Sequence, residues 1–563
     1  SIRRDTLDKE AVERIAPESD EGNKEYKLKL VSEAPGEIEH ITSQMRYRLE
    51  EGMGECIYTL GVTDSGGVVG LTEEEFFQTK KILDMAAEKM GYTLTPLSEQ
   101  KVITDPKLGE KRMYEFLVRE QHPKKYVDIR IACAGQVDSG KSTLLGVLLS
   151  GSNDNGRGLA RLNVFNFQHE VRTGQTSSIA QHILGFDDKG TPICYGDEFG
   201  RKKTWPEIVR SSAKIVTFFD LCGHEKYLKT TILGLTSHSP DLTFVLVGAN
   251  MGLTRMSKEH IFLCLSLHIP FVVIVTKIDI CKDRQNVLEE TNKGIKELLK
   301  APGIRKIPYD VRNIDDVILS AKNIHSLSTV PIFHISSVTG EGIDLLKQFV
   351  NLHTKRPQEV ACENKVEFVV DQLFHVVGVG TVIGGELHHG KIKVGDKLII
   401  GPNNGSYNTI QVRSMHVKRV NVLEADAGCY VCLGIKKTEG FVIRRGTVIL
   451  SQVDKPIQVM EFEADIAVLK SHSTTIKIGY APVVHTGSVR QSAKIVSISN
   501  KVCGKGRTEN DNVLRTGDRA TVKFRFCYHP EYIKKGYRIL LAEGMVKIVG
   551  RITGVSEDTV PVI

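Results

Sequence analysis

Residues 126–151, YVDIRIACAGQVDSGKSTLLGVLLSG, run from a strand into a helix through a loop bracketed by glycines. Positions 128–134 are apolar or alternate with polar residues, the pattern of a buried strand, and KSTLLGVLL opens a helix. Between them the spacing G-x-x-x-x-G-K-S, from Gly135 to Ser142, is that of a phosphate loop. Glycines let successive backbone amides converge on phosphate oxygens, and the helix N-terminus adds partial positive charge. Gly135, Asp138, Ser139, Gly140 and Thr143 are therefore predicted to surround the phosphates. Lys141 reaches the terminal ones, and Ser142 offers a hydroxyl to Mg2+.

A phosphate loop alone does not choose the base. Downstream, IVTFFDLCG is a strand ending in Asp220-x-x-Gly223, suited to a water-mediated magnesium contact and a switch glycine. PFVVIVTKID ends in Thr276, Lys277 and Asp279. A carboxylate at 279 can accept both the N1 and N2 hydrogens of guanine, a pairing adenine cannot reproduce, and the Lys277 stem would cover the base. Thr276 stands where asparagine is usual, which puts a hydrogen bond to the phosphate loop at stake. A last strand, PIFHI, leads into Ser336, Ser337 and Val338, where a backbone amide could meet guanine O6. These elements, in this order and each at a strand end, predict a GTP-binding domain.

Bulk properties agree with a multidomain protein. At 563 residues the chain exceeds what one core accommodates. No apolar run approaches the roughly 18 residues of a membrane span, and no secretory pattern opens the chain, so a cytoplasmic protein with no membrane partner is expected. The eleven cysteines follow no zinc or disulfide spacing and read as free thiols. Charge is uneven: residues 1–120 carry 17 Lys+Arg against 25 Asp+Glu, whereas residues 365–563 carry 28 against 18. The basic back half suits a polyanion such as RNA.

Residues 1–35 are polar and aperiodic and are predicted to be a flexible tail. Over 36–122, two helical patterns and three strand patterns predict a small α/β module. Its second helix starts at the capping box Thr72-x-x-Glu75. The GTPase domain is placed at 123–356. Alternating strands with frequent glycine turns then predict two β-barrels, over 360–456 and 457–556.

The combination DLCGHEKY, MGLTRMSKEHI and TKID resembles the translational GTPases related to elongation factor Tu. FVVDQLFHVVGVGTVIGG resembles the start of that family's second domain, including Gly378-Val379-Gly380-Thr381. NDNGRGLARLN, GHEKYLKTTI, HTGSVRQSA and the N-terminal GECIYTLGVTDSGGVVG are similar to the subfamily of GTP-binding proteins 1 and 2. The resemblance places His224 at the family's catalytic histidine and Thr176 at its magnesium-binding threonine. Cys222 replaces a proline, Gln175 replaces the isoleucine of an apolar gate, and Val137 supplies the other half of that gate. Asp138 would help hold a monovalent cation.

The same resemblance implies GTP and GDP as ligands and Mg2+ as cofactor. It also implies a monomer that carries aminoacyl-tRNA to the ribosome or assists stalled ribosomes, with hydrolysis triggered there. Arg490, Arg515, Arg519, Arg525 and Arg538 are candidate RNA contacts. Two other readings share this body plan: a GTP-switched adaptor that recruits an RNA-decay complex, and a GTPase activating a sulfate-activating enzyme. Retention of the tRNA-binding barrels and of the N-terminal module disfavours the latter.

Overall fold

The computed structural model describes residues 13–559 except 20–21, 53, 103–109, 121–125, 166–169, 171–175, 177, 197–200, 356–364, 377–379, 404–405, 437–440, 453–455, 470–474, 504–512 and 544. Gln175, Gly378 and Val379 thus lie outside the described residues. So do residues 121–122, at the expected end of the N-terminal module, and 123–125 and 356, at the expected limits of the GTPase domain.

The N-terminal module is a four-stranded sheet with two helices on one face. Its strands are β1 (Lys24–Lys27), β2 (Glu55–Leu60), β3 (Tyr92–Val102) and β4 (Lys111–Glu120), in the order β1-β2-β4-β3. Helices α1 (Pro35–Glu51) and α2 (Glu73–Glu88) cover it, packing Ile41, Met45, Leu83 and Ala86 against Tyr58 and Phe116. The capping box forms: the Thr72 side chain accepts from the Glu75 amide, and the Glu75 carboxylate accepts from the Thr72 amide. One expectation is corrected. Within the supposed flexible tail, β1 adds parallel to β2, and Glu25 pairs with Arg48 at 2.7 Å in a buried ion pair. A polar segment orders here because its charges find partners on α1, a long-range fact that local composition cannot express.

The GTPase domain is an eight-stranded sheet. Its strands are β5 (Val127–Gly135), β6 (Ala180–Phe186), β7 (Pro192–Ile193), β8 (Lys214–Asp220), β9 (Leu242–Gly248), β10 (Phe271–Thr276), β11 (Ile307–Asp310) and β12 (Thr329–His334). The order is β11-β12-β10-β9-β5-β8-β6-β7, parallel except at β6 and β7. Strands β8 to β10 are buried at every position, as a sheet covered on both faces requires. The phosphate-loop strand β5 is central, so its carboxyl end lies where crossovers leave to both sides, the usual ligand position in such sheets.

The module is fixed to the amino end of this sheet. Lys214, at the start of β8, donates to Glu55 at 2.9 Å and to the carbonyls of Asn351 (2.6 Å) and His353 (2.5 Å). Arg119 closes the cluster, at 2.7 Å from Glu55 and 2.8 Å from the Asn351 side chain. All three ionic side chains are buried. Glu55→Gln leaves two buried cations without their carboxylate and is expected to cost about 3–5 kcal/mol, measurable as a lowered urea midpoint.

Two β-barrels follow. The first spans Glu367 to Leu450 and closes where Lys397–Asn403 pairs with Ser406–Val417. The second is a closed six-stranded barrel from Ile457 to Thr559. Polar contacts join the three bodies in series. Arg130 of β5 pairs with Glu386 of the first barrel and donates to the Gly428 carbonyl at 2.9 Å. His388 lies 3.6 Å from Glu386 and 3.8 Å from Glu367, and Glu367 also meets Lys534 of the second barrel. Against the desolvation that burial imposes, the two carboxylates raise His388 to about 9. A histidine raised in the folded state stabilises fully below its ordinary pKa and ceases to as pH rises through the folded value. Stability is thus expected to fall by about 1–2 kcal/mol between pH 7 and 10, and His388→Gln to remove that slope.

Candidate functional site

The loop leaving β5 passes through two left-handed positions, Asp138 (φ 61°) and Gly140 (φ 85°), before helix α3 (Lys141–Ser150) begins. Lys141 is buried, and its ammonium donates to the carbonyls of Gly135 and Gln136 at 2.9 Å each. Burial lowers its pKa, while Asp220 pulls the other way. The hydroxyl of Ser139 is buried with no hydrogen-bond partner among the described residues. Gly223 approaches from β8: a Cβ there would lie 2.5 Å from the Lys141 ammonium and 2.6 Å from the Gly135 carbonyl oxygen. Only glycine permits that approach.

Three oxygen donors converge beside the lysine. Ser142 Oγ donates to Asp220 Oδ2 at 2.6 Å, and Thr176 Oγ1 lies 3.0 Å from Ser142 Oγ and 3.1 Å from the same carboxylate oxygen. The other carboxylate oxygen, Asp220 Oδ1, is buried and has no hydrogen-bond partner among the described residues. Burial raises the Asp220 carboxyl, and Lys141, Ser142 and Thr176 oppose the shift. A cluster of hard oxygens with one unsatisfied, buried anionic atom fits a divalent cation such as magnesium.

Along the same sheet edge, β10 and β12 deliver the predicted base-recognition residues. Lys277 is left-handed (φ 61°), and Asp279 accepts from Ser336 Oγ at 2.6 Å. Ser336 Oγ in turn accepts from the amides of Val338 (3.2 Å) and Thr339 (3.1 Å). Thr276 keeps the tie that its departure from asparagine put in question: its Oγ1 donates to the Ser139 carbonyl at 2.7 Å. The carbonyl of Ser337 accepts from the Asp154 amide at 2.8 Å.

Asp154 leads to a residue that sequence reasoning missed. Its carboxylate accepts from the amides of Gly156, Gly158 and Ala160, at 2.9–3.0 Å, and so fixes a turn whose next residue is Arg161. Ala160 packs on Gly146 of α3, where a Cβ would come within 2.1 Å of the Ala160 carbonyl. Arg161 thereby lines the phosphate cleft together with Lys141, Thr143 and His224. The available signal was the spacing of Asp154, Gly156 and Gly158, an aspartate capping its own turn.

His224 is exposed at the mouth of this cleft. Its Nδ1 accepts from the Lys226 amide at 3.1 Å, and no acidic side chain among the described residues pairs with it. Val137 lines the cleft beside it, and Cys222, in place of proline, is buried. The five candidate arginines of the second barrel are all exposed, but Arg538 donates to the Ser266 carbonyl and contacts His268, tying the barrel to the GTPase domain.

This fold and phosphate loop define a P-loop GTPase. Residues 128–356 match the model of the elongation factor Tu GTP binding domain. The chain is 42% identical over 552 residues to GTP-binding protein 2 of Homo sapiens, covering 97% of this chain and 89% of that protein. It is 42% identical over 535 residues to GTP-binding protein 1 of Xenopus laevis, covering 95% and 79% respectively. Among solved structures, the elongation factor SelB of Methanococcus maripaludis bound to the GTP analogue GppNHp superposes with a TM-score of 0.52. It is 20% identical and covers 77% of this chain and 80% of that one, a likeness of fold. The chain belongs to the GTP-binding protein 1/2 family of elongation-factor-Tu-like translational GTPases.

Proposed function

We propose that the chain carries aminoacyl-tRNA to the ribosome, or assists stalled ribosomes, and that ribosome contact triggers its GTP hydrolysis. The observation that carries this reading is the placement of His224: beside the phosphate cleft, exposed, and unpaired with any described acidic residue. Such a histidine waits for an outside anion to orient it, and a backbone phosphate of ribosomal RNA would serve.

Gly135, Asp138, Ser139, Gly140 and Thr143 surround the phosphates, and Lys141 meets the terminal ones. Gly223 senses their presence. Thr276, Lys277, Asp279 and the Ser336–Val338 turn take the base. Ser142, Thr176 and, through water, Asp220 would hold Mg2+, which neutralises phosphate charge when bound. Asp138 would help hold a monovalent cation. A neutral imidazole is too weak a base to deprotonate water productively. His224 therefore orients the attacking water, or as imidazolium offsets charge growing on the phosphate oxygens. Loss of the terminal phosphate releases Thr176 and Gly223. The Arg130–Glu386 pair then offers a direct route for relaying the change to the barrels. The exposed arginines of the basic second barrel support an RNA cargo. A monomer acting in the cytoplasm completes the proposal.

The test is GTP turnover alone, with ribosomes, and with ribosomes plus aminoacyl-tRNA. Ribosome-dependent stimulation supports the reading, and added dependence on tRNA specifies delivery. No stimulation transfers the choice to the adaptor that recruits an RNA-decay complex. The base assignment has its own check. Asp279→Asn is expected to favour xanthosine over guanosine nucleotides, because the amide supplies a donor where the carboxylate only accepted. Unchanged base preference in a competition assay would remove Asp279 from the base site.

A further inference from the structure

Arg161 enters the phosphate cleft from the short turn Ala160–Asn163, which follows α3. We propose that its guanidinium contacts the phosphates of bound GTP and is a catalytic arginine supplied by the chain itself. There it offsets the negative charge that collects on the β–γ bridging oxygen as the terminal phosphoryl group leaves. The proposal rests on the placement of the phosphates in this cleft, which Lys141→Ala tests on its own.

Three observations carry it. First, the guanidinium is uncommitted: among the described residues it has no hydrogen bond and no ion pair. The carboxylate of Asp154, on the same turn, accepts from the amides of Gly156, Gly158 and Ala160 instead. Arg161 shares the cleft with Lys141 and Lys277, and Asp138 is the one carboxylate among the described residues lining it. Such an excess of positive charge suits a polyanion.

Secondly, the turn places this side chain against hydrophobic preference. Leu159 and Leu162 are 59% and 46% exposed, whereas Arg161 between them is half-buried. A turn shaped only by burial would direct its leucines inward and its arginine out. Thirdly, the position is fixed before nucleotide binds. A Cβ on Gly158 would lie 2.7 Å from Arg161 Nε and 3.0 Å from Cζ, so the guanidinium lies against backbone that a glycine leaves open. Ala160 rests on Gly146, one helical turn beyond Thr143 of α3. The Asp154 amide donates to the Ser337 carbonyl, which ties the other flank to the base-recognition turn. A charge held in place in advance needs no reorganisation when the reaction begins.

In hydrolysis a water oxygen bonds to the terminal phosphorus, and the bond from that phosphorus to the bridging oxygen breaks. The electron pair of the broken bond stays on GDP. One proton of the water remains on the released phosphate and the other passes to solvent. A planar guanidinium that donates to the bridging oxygen and to a neighbouring phosphate oxygen binds this charge distribution more tightly than it binds GTP. His224 acts on the side of the attacking water and Arg161 on the side of the leaving group, so their effects are separable.

The experiment measures single-turnover GTP hydrolysis without ribosomes, together with GTP and GDP affinity, for the wild type, Arg161→Ala and Arg161→Lys. Arg161→Ala is expected to bind both nucleotides within about tenfold of the wild type but to hydrolyse GTP about 100-fold more slowly. Arg161→Lys keeps the charge, loses the fork and stays slow. Guanidinium ion at sub-denaturing concentration should restore part of the rate to Arg161→Ala, and sodium at equal ionic strength should not. An unchanged urea midpoint would show that the turn, held by backbone bonds, still forms. An undiminished rate in Arg161→Ala overturns the proposal, as does a lost rate that guanidinium fails to restore, which would make Arg161 a structural part of the turn. Weakened affinity with an unchanged rate for bound GTP would reduce it to a binding contact and overturn the catalytic assignment. Normal GTP binding by Lys141→Ala as well would overturn the placement of the phosphates itself.

Discussion

His224→Ala is expected to bind GTP almost normally yet lose about 100- to 1,000-fold of ribosome-stimulated turnover, the usual effect of removing one aligned group that acts on the developing phosphate charge. The binding half of this expectation follows from position. The ring is exposed at the cleft mouth, and its one described hydrogen bond is to the amide two residues on. In the proposed reading the phosphates are held deeper, by Lys141 and the loop amides, none of which is bonded to the imidazole. The catalytic half follows from its neighbours. Thr176, Gly223 and Lys141 line the same cleft, which puts the ring within reach of a water attacking a phosphate held there. Single-turnover hydrolysis with and without ribosomes separates the two halves. A mutant stimulated as strongly as the wild type would strip His224 of this role.

Lys141→Ala should strike binding itself. The ammonium is buried, with only two loop carbonyls as described hydrogen-bond partners, and burial already depresses its pKa. Bound phosphate would give that desolvated charge a full counter-charge. Truncating one member of such a buried pair costs about 2–5 kcal/mol, or roughly thirtyfold and upward in GTP affinity. Fluorescent-nucleotide titration reads the loss. An unaltered urea midpoint would show that the loop still folds, its left-handed turns at Asp138 and Gly140 being a backbone property. Near-normal affinity in a folded mutant would contradict the assignment of Lys141 to the phosphates.

The candidate GTP site was legible in the sequence because its motifs lie at strand ends. Each motif sits where a buried parallel strand stops, and the sheet brings those ends together without further instruction. Asp220 at the end of β8, Thr276 at the end of β10 and Ser336 after β12 needed only their order along the chain. Spacing could say less about Thr276, whose hydroxyl turns back to the Ser139 carbonyl and keeps a bond that the absent asparagine put in doubt. Arg161 shows the limit more sharply. It reaches the cleft because Asp154 caps its own turn and because Ala160 rests on Gly146 of α3, a contact between segments that no single motif contains.

The amino-acid sequence by itself therefore determined the fold class and the nucleotide class, since periodicity and spacing are local and the sheet does the rest. Tertiary structure alone decided three other matters. It ordered Lys24–Lys27 within a polar leader, through the buried Glu25–Arg48 pair. It seated the N-terminal module at the far end of the GTPase sheet through Lys214, whose partners Glu55 and Asn351 lie well over a hundred residues away on either side. It also chained the GTPase domain to both barrels through Arg130, Glu386, His388 and Glu367. In each case a buried charge must find its counter-charge or pay the full cost of desolvation, and which partner it finds depends on the folded chain, not on its neighbours in sequence.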